Sequence, residues 1–128
     1  MTINDGFPAE NGEVPLPDWS VFDDEDLLDL DDDLRAAFRE RAIPSPLHVA
    51  RDPQQLFDEH RYDVPATVIA CEFPSAKLRE WMAQGESSLQ ELAKLRDVKY
   101  VDLPTGHWPQ FTRPDDLART ILTSVGVA

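Results

Sequence analysis

A single cysteine, Cys71, stands among 128 residues. No disulfide can form within the chain, and a reducing, cytoplasmic setting is the expectation. No apolar run approaches the roughly 20 residues that a membrane-spanning helix needs. Met1-Thr2-Ile3-Asn4-Asp5 has neither the basic start nor the apolar core of a signal peptide. Basic side chains are scarce: 12 Lys and Arg face 25 Asp and Glu, for a net charge of −13. Residues 1–60 hold 16 acidic and 4 basic side chains, whereas residues 61–128 hold 9 and 8. That field repels phosphate backbones and anionic lipid surfaces, so neither nucleic acid nor a membrane is an expected partner. No motif for a bound cofactor is present, and no metal-ligand spacing links His48, His60 and His107.

The composition changes near residue 60, which marks two domains: an acidic, proline-rich segment over 1–60 and a more regular one over 61–128. Pro8, Pro15, Pro17, Pro44, Pro46 and Pro53 punctuate the first. Between them, Leu27, Leu28, Leu30, Leu34, Ala37 and Phe38 recur at helical spacing within and after the run Asp23–Asp33. Arg35, Arg39 and Arg41 lie toward the C-terminal end of that stretch, where they complement a helix dipole. In the second segment, Ala66-Thr67-Val68-Ile69-Ala70-Cys71 reads as a parallel strand covered on both faces. Ser75 is placed to cap a helix carrying Leu78, Trp81 and Met82, which Gly85 ends. Ser88-Leu89-Gln90-Glu91 fits a capping box ahead of Leu92 and Leu95. Val98–Leu103 reads as the next strand, and Pro114 opens a last helix with Leu117, Ile121, Leu122 and Val125 as its packing stripe. Alternating strands and helices predict an α/β fold with a parallel sheet of two strands, or three if residues 2–5 contribute one. Such a sheet has open edges, which predicts self-association or a partner.

The segment Asp102-Leu103-Pro104-Thr105-Gly106-His107-Trp108-Pro109 joins the second of these strands to the last helix. Ligand sites in parallel sheets lie beyond the carboxyl ends of the strands, so His107 is placed for acid–base work if a carboxylate fixes its tautomer. This segment, with Asp5–Gly12 and Val68–Ser75, resembles the C-terminal part of bacterial α/β-hydrolases of the esterase type. The resemblance spans essentially the whole chain. It implies a partial α/β-hydrolase fold, with the sixth strand at the start, an acidic helical lid over residues 7–60, and then the seventh and eighth strands. It also implies that His107 is the general base of a serine esterase acting on small esters. Asp5, after the sixth strand, is the first choice for its acidic partner; Glu72, after the seventh, is the alternative, because the family uses either position.

What the resemblance requires is only half present. The family's nucleophile sits in a G-x-S-x-G turn after a strand. Gly85-Glu86-Ser87-Ser88-Leu89 lacks the second glycine and the strand. The histidine–glycine oxyanion segment is absent too. The expectation is therefore a chain carrying base and acid without the serine, inactive alone, completed by a nucleophile-bearing half or else serving as a non-catalytic pairing module.

Other groups have plainer readings. Trp108 and Phe111 are read as packing residues at a pocket rim, and Trp19, Val21 and Phe22 as acyl-pocket lining or as staples for the lid. Cys71 could act as a thiolate nucleophile with His107 and Glu72, but it continues an apolar run and reads as core. The acidic run lacks the glycine and ligand spacing of a calcium loop, which leaves a solvated helix face.

Overall fold

Small and β-branched residues at Ala66–Ala70 form strand β3, and Val98–Asp102, with Val98, Tyr100 and Val101, forms β4; the two pair in parallel with Ala66 opposite Val98 and Ala70 opposite Asp102. These coordinates come from a computed structural model that describes residues 8–127. The chain divides into two compact units, Met1–Gln55 and Leu56–Ala128. The molecule is mixed α/β; the described residues hold short helices and two two-stranded sheets, one antiparallel and one parallel. A strand at residues 2–5, like Asp5 itself, falls outside the described residues.

In the first unit, Asn11 and Gly12 both take positive φ, 52° and 79°. That is the backbone a tight type I′ turn requires. Glu10 and Glu13 exchange both main-chain hydrogen bonds across it, at 2.8 and 2.9 Å. The chain continues into β1 (Glu13–Val14), which pairs antiparallel with β2 (Ser45–Pro46). Asp31 caps α1 (Asp32–Arg41) by accepting the Leu34 N–H at 2.8 Å, with Asp32 and Asp33 in the first turn. The preceding residues 24–29 form successive turns rather than helix. They nevertheless bury Leu27 and Leu30, while Leu28 stays 78% exposed. Arg39 and Arg41 stand in the last turn of α1, where their charge complements the helix dipole, and Arg35 lies nearer its start. Arg35 donates from Nε to the Leu30 carbonyl at 2.7 Å, and Arg39 donates from Nη2 to the Pro17 carbonyl at 2.7 Å. Trp19 packs edge-on to Phe38 and against Phe22, with the Arg39 guanidinium over its ring at 5.1 Å. The short α2 (Leu47–Arg51) follows β2 directly.

In the second unit, α3 (Ser75–Ala83) crosses from β3 back toward β4. Its start is capped across the sheet rather than by Ser75. Asp102, at the end of β4, accepts the Ser75 N–H at 2.7 Å and its hydroxyl at 3.3 Å. Gly85, at φ 80°, ends the helix in a paired C-terminal motif, with Gly85 N–H donating to the Met82 carbonyl and Glu86 N–H to that of Trp81. The predicted capping box does not form. Ser88 lies in a 3₁₀ turn, Ser87–Leu89, ahead of the single-turn α4 (Gln90–Ala93). Glu91 is drawn elsewhere, into a cluster around buried Tyr62, accepting from its hydroxyl at 2.8 Å, from Arg61 at 3.2 Å and from Lys94 at 2.6 Å. A buried phenol needs a partner, and the carboxylate supplies it.

After β4 come α5 (Pro109–Thr112) and α6 (Pro114–Ser124). Proline opens α6 as predicted, and Gly126 closes it with the same C-terminal motif. The α6 stripe is not packed away, however: Ile121, Leu122 and Val125 are 47%, 46% and 66% exposed. β3 likewise buries only Ala70 fully. Two strands give the apolar side chains of both elements too little surface to pack against. No helix among the described residues is long and apolar enough to cross a membrane.

Candidate functional site

Parallel pairing places the carboxyl ends of β3 and β4 side by side. The ladder runs one bond past the strands, from Leu103 N–H to the Ala70 carbonyl at 2.8 Å. The loops that leave this end carry Cys71 and Glu72 from β3, and Thr105, Gly106 and His107 from β4. They are tied together a second time by Thr105 N–H to the Cys71 carbonyl, at 3.3 Å. This brings the His107 Nδ1 onto Oε1 of Glu72, 35 residues away in sequence. The Glu72 side chain is 19% exposed and that of His107 is 38%. The His107 ring also packs edge-on to Trp108, with centroids 4.8 Å apart.

A carboxylate beside a histidine is not distinctive by itself. His48 Nδ1 meets Asp52 at 2.9 Å and His60 Nδ1 meets Asp58 at 2.8 Å. Those pairs are local, and their imidazoles are 82% and 90% exposed. They are surface contacts of small worth. The Glu72–His107 pair differs because tertiary structure assembles it, at the end of a parallel sheet, with a half-buried acid. A carboxylate at Nδ1 selects the tautomer in which Nδ1 carries the proton, which leaves Nε2 as the basic nitrogen.

Beside the pair lies an open groove of about 440 Å³, lined by Cys71, Phe73, Leu78, Leu92, Pro109 and Gln110 among others. Its walls are mostly apolar, with Cys71, Glu72 and His107 as its ionisable groups. Such a lining suits a small apolar ligand. The Cys71 Sγ is half-buried and lies 3.7 Å from the Ile69 carbonyl. Asp102 is occupied in capping α3. Ser88 has its hydroxyl 3.5 Å from Glu86 Oε1 and sits in no strand-to-helix turn.

Of the expected residues, the structure brings His107 to Glu72, which the resemblance offered as the alternative acid, while Asp5, its first choice, lies outside the described residues. Thr105, buried in the loop that carries His107, was not singled out. The signal available was a small polar residue next to the glycine that precedes the histidine. Of the acidic run, Asp26 is buried and accepts the Asp23 N–H at 3.1 Å, and Asp31 caps α1, so both have structural roles.

Comparisons of the chain with protein families, with curated proteins and with solved structures give no match. What the site can do must therefore be argued from its own chemistry.

Proposed function

We propose that Glu72 and His107 are the acid and base of an α/β-hydrolase-like acyl-transfer site, and that this chain is the C-terminal segment of a serine esterase. The observation that carries the reading is the Glu72–His107 contact beyond the carboxyl ends of two parallel strands. In this role His107 Nε2 takes the proton of a serine hydroxyl and returns it to the leaving group. Glu72 holds the ring and stabilises the imidazolium that forms in between. The serine and the oxyanion donors must come from outside the sequence described here. Without them little acyl transfer follows, because donors aimed at the developing oxyanion supply much of the rate. Asp5, the other candidate acid, is an alternative only if Glu72 proves dispensable.

A fluorophosphonate probe on material from the source cell tests this. Tagged chain should co-purify with, or be continuous with, a polypeptide whose serine reacts with the probe. His107→Ala should cut that labelling by about 10² or more, as expected for loss of a general base. A partner labelled equally well with His107→Ala would remove His107 from the mechanism, and no labelled polypeptide at all would remove the esterase assignment.

A second reading rests on a different observation. The exposed Ile121, Leu122 and Val125 of α6 and the edges of β3 and β4 that no other strand among the described residues covers are surfaces that pairing would cover. On that reading the chain is a non-catalytic module that homodimerises or docks a partner. A cooperative dimer with no fluorophosphonate-reactive partner would support it.

A further inference from the structure

We propose that Thr105 is a positioning residue for His107, and that its hydroxyl sets the imidazole against Glu72. The inference rests on Glu72 and His107 forming the working pair of the site. Thr105 is one of the two polar or charged residues found buried among the described residues, at 5% exposure. A buried hydroxyl is retained at a cost unless it makes hydrogen bonds. Here the Oγ1 donates to the Gly106 carbonyl at 2.9 Å. That carbonyl belongs to the peptide unit joining Gly106 to His107. Fixing its direction fixes the plane of the unit, and with it the N and Cα of His107 from which the imidazole side chain departs. The main chain of the same residue anchors the other side: Thr105 N–H donates to the Cys71 carbonyl, one residue before Glu72. Thr105 thus fastens the histidine loop to the glutamate loop with its backbone and orients the histidine with its side chain. Gly106 between them is buried. Holding a working pair to within a fraction of an ångström is the task of such supporting groups.

The test is nitrogen NMR on the whole chain with ¹⁵N-labelled histidine, comparing wild type with Thr105→Val and Thr105→Ser. His48 and His60 serve as internal references, because their carboxylate partners, Asp52 and Asp58, are local in sequence. In wild type, His107 should show a protonated Nδ1 with a slowly exchanging, strongly deshielded proton, and a basic Nε2. Thr105→Val keeps the volume and the main-chain bond but lacks the hydroxyl. It should lose the Nδ1 proton signal and give averaged nitrogen shifts, while the signals of His48 and His60 stay in place. Thr105→Ser should restore the wild-type pattern, which a purely space-filling role would not do. If Thr105→Val does not fold, Thr105→Ala removes the same hydroxyl with less steric demand and is read in the same way. A hydroxyl-free variant with wild-type His107 signals overturns the proposal and leaves the pair intact. A wild-type chain with no protonated Nδ1 at His107 overturns the pair itself, and Thr105's role with it.

Discussion

Tyr62, Arg61, Glu91 and Lys94 show how much one carboxylate can organise. Hydrogen bonds from Lys94 first, then from the Tyr62 hydroxyl and Arg61, hold Glu91 well below the usual carboxylate range, at about 2 against an ordinary 4.5. A carboxylate whose value is depressed in the folded state binds its proton more weakly there than in the unfolded chain. Its contribution is therefore complete above about 4.5 and is lost as pH falls toward about 2. Glu91→Gln should flatten the acid limb of a stability–pH profile over that window and leave the slope near neutrality unchanged. An unaltered acid limb in urea titrations would show that the cluster adds nothing to the folded state. The same residue explains a failed expectation. Read along the chain, Glu91 completes a capping box with Ser88; in the fold, buried Tyr62 and two cations outbid a single exposed N–H.

At the scale of elements, helix boundaries follow local chemistry, while caps need not. Gly85 and Gly126 end α3 and α6 because both sit at positive φ, 80° and 76°. Pro114 opens α6 for the converse reason: its fixed φ suits a first turn. The start of α3 depends instead on Asp102, which lies 27 residues from Ser75 in sequence. Asp102→Ala should lower stability by about 1 kcal/mol, the usual worth of an N-terminal cap, read as a lower urea midpoint at unchanged slope. Asp102→Asn should recover most of it, since the amide oxygen still accepts the Ser75 N–H. Equal midpoints for wild type and Asp102→Ala would reduce this contact to an incidental one. The Asn11-Gly12 turn was not expected, although that dipeptide is a hairpin signal; the prolines around it point to irregular structure.

For the molecule as a whole, charge is the dominant imbalance. At −13, with Asp23, Asp24, Glu25, Asp31, Asp32 and Asp33 exposed in the first unit, like charges crowd one another in the folded state more than in the extended chain. Added salt should raise the thermal midpoint from low ionic strength up to roughly 0.15 M, where the screening length is about 8 Å. A midpoint that falls or stays level with sodium chloride would mean that cationic partners such as Arg35 and Arg39 already balance the run.

Sequence by itself determined the periodicities: the two strand segments, the helices that proline and glycine bound, the charge asymmetry, and a histidine and a glutamate each just beyond a strand. These are local properties, governed by the alternation of apolar side chains and by the backbone limits of proline and glycine. Tertiary structure decided which partner each polar group takes. His107 meets Glu72, Asp102 caps α3 and Glu91 serves Tyr62, each across 27 to 35 residues. A hydrogen bond is specified by distance and angle in space, and the register of β3 on β4 sets the loop of His107 beside that of Glu72 and Asp102 beside the start of α3. Burial was decided there too. The stripe on α6 is apolar in the sequence, but whether it is covered depends on how much sheet lies beside it, and two strands leave it open.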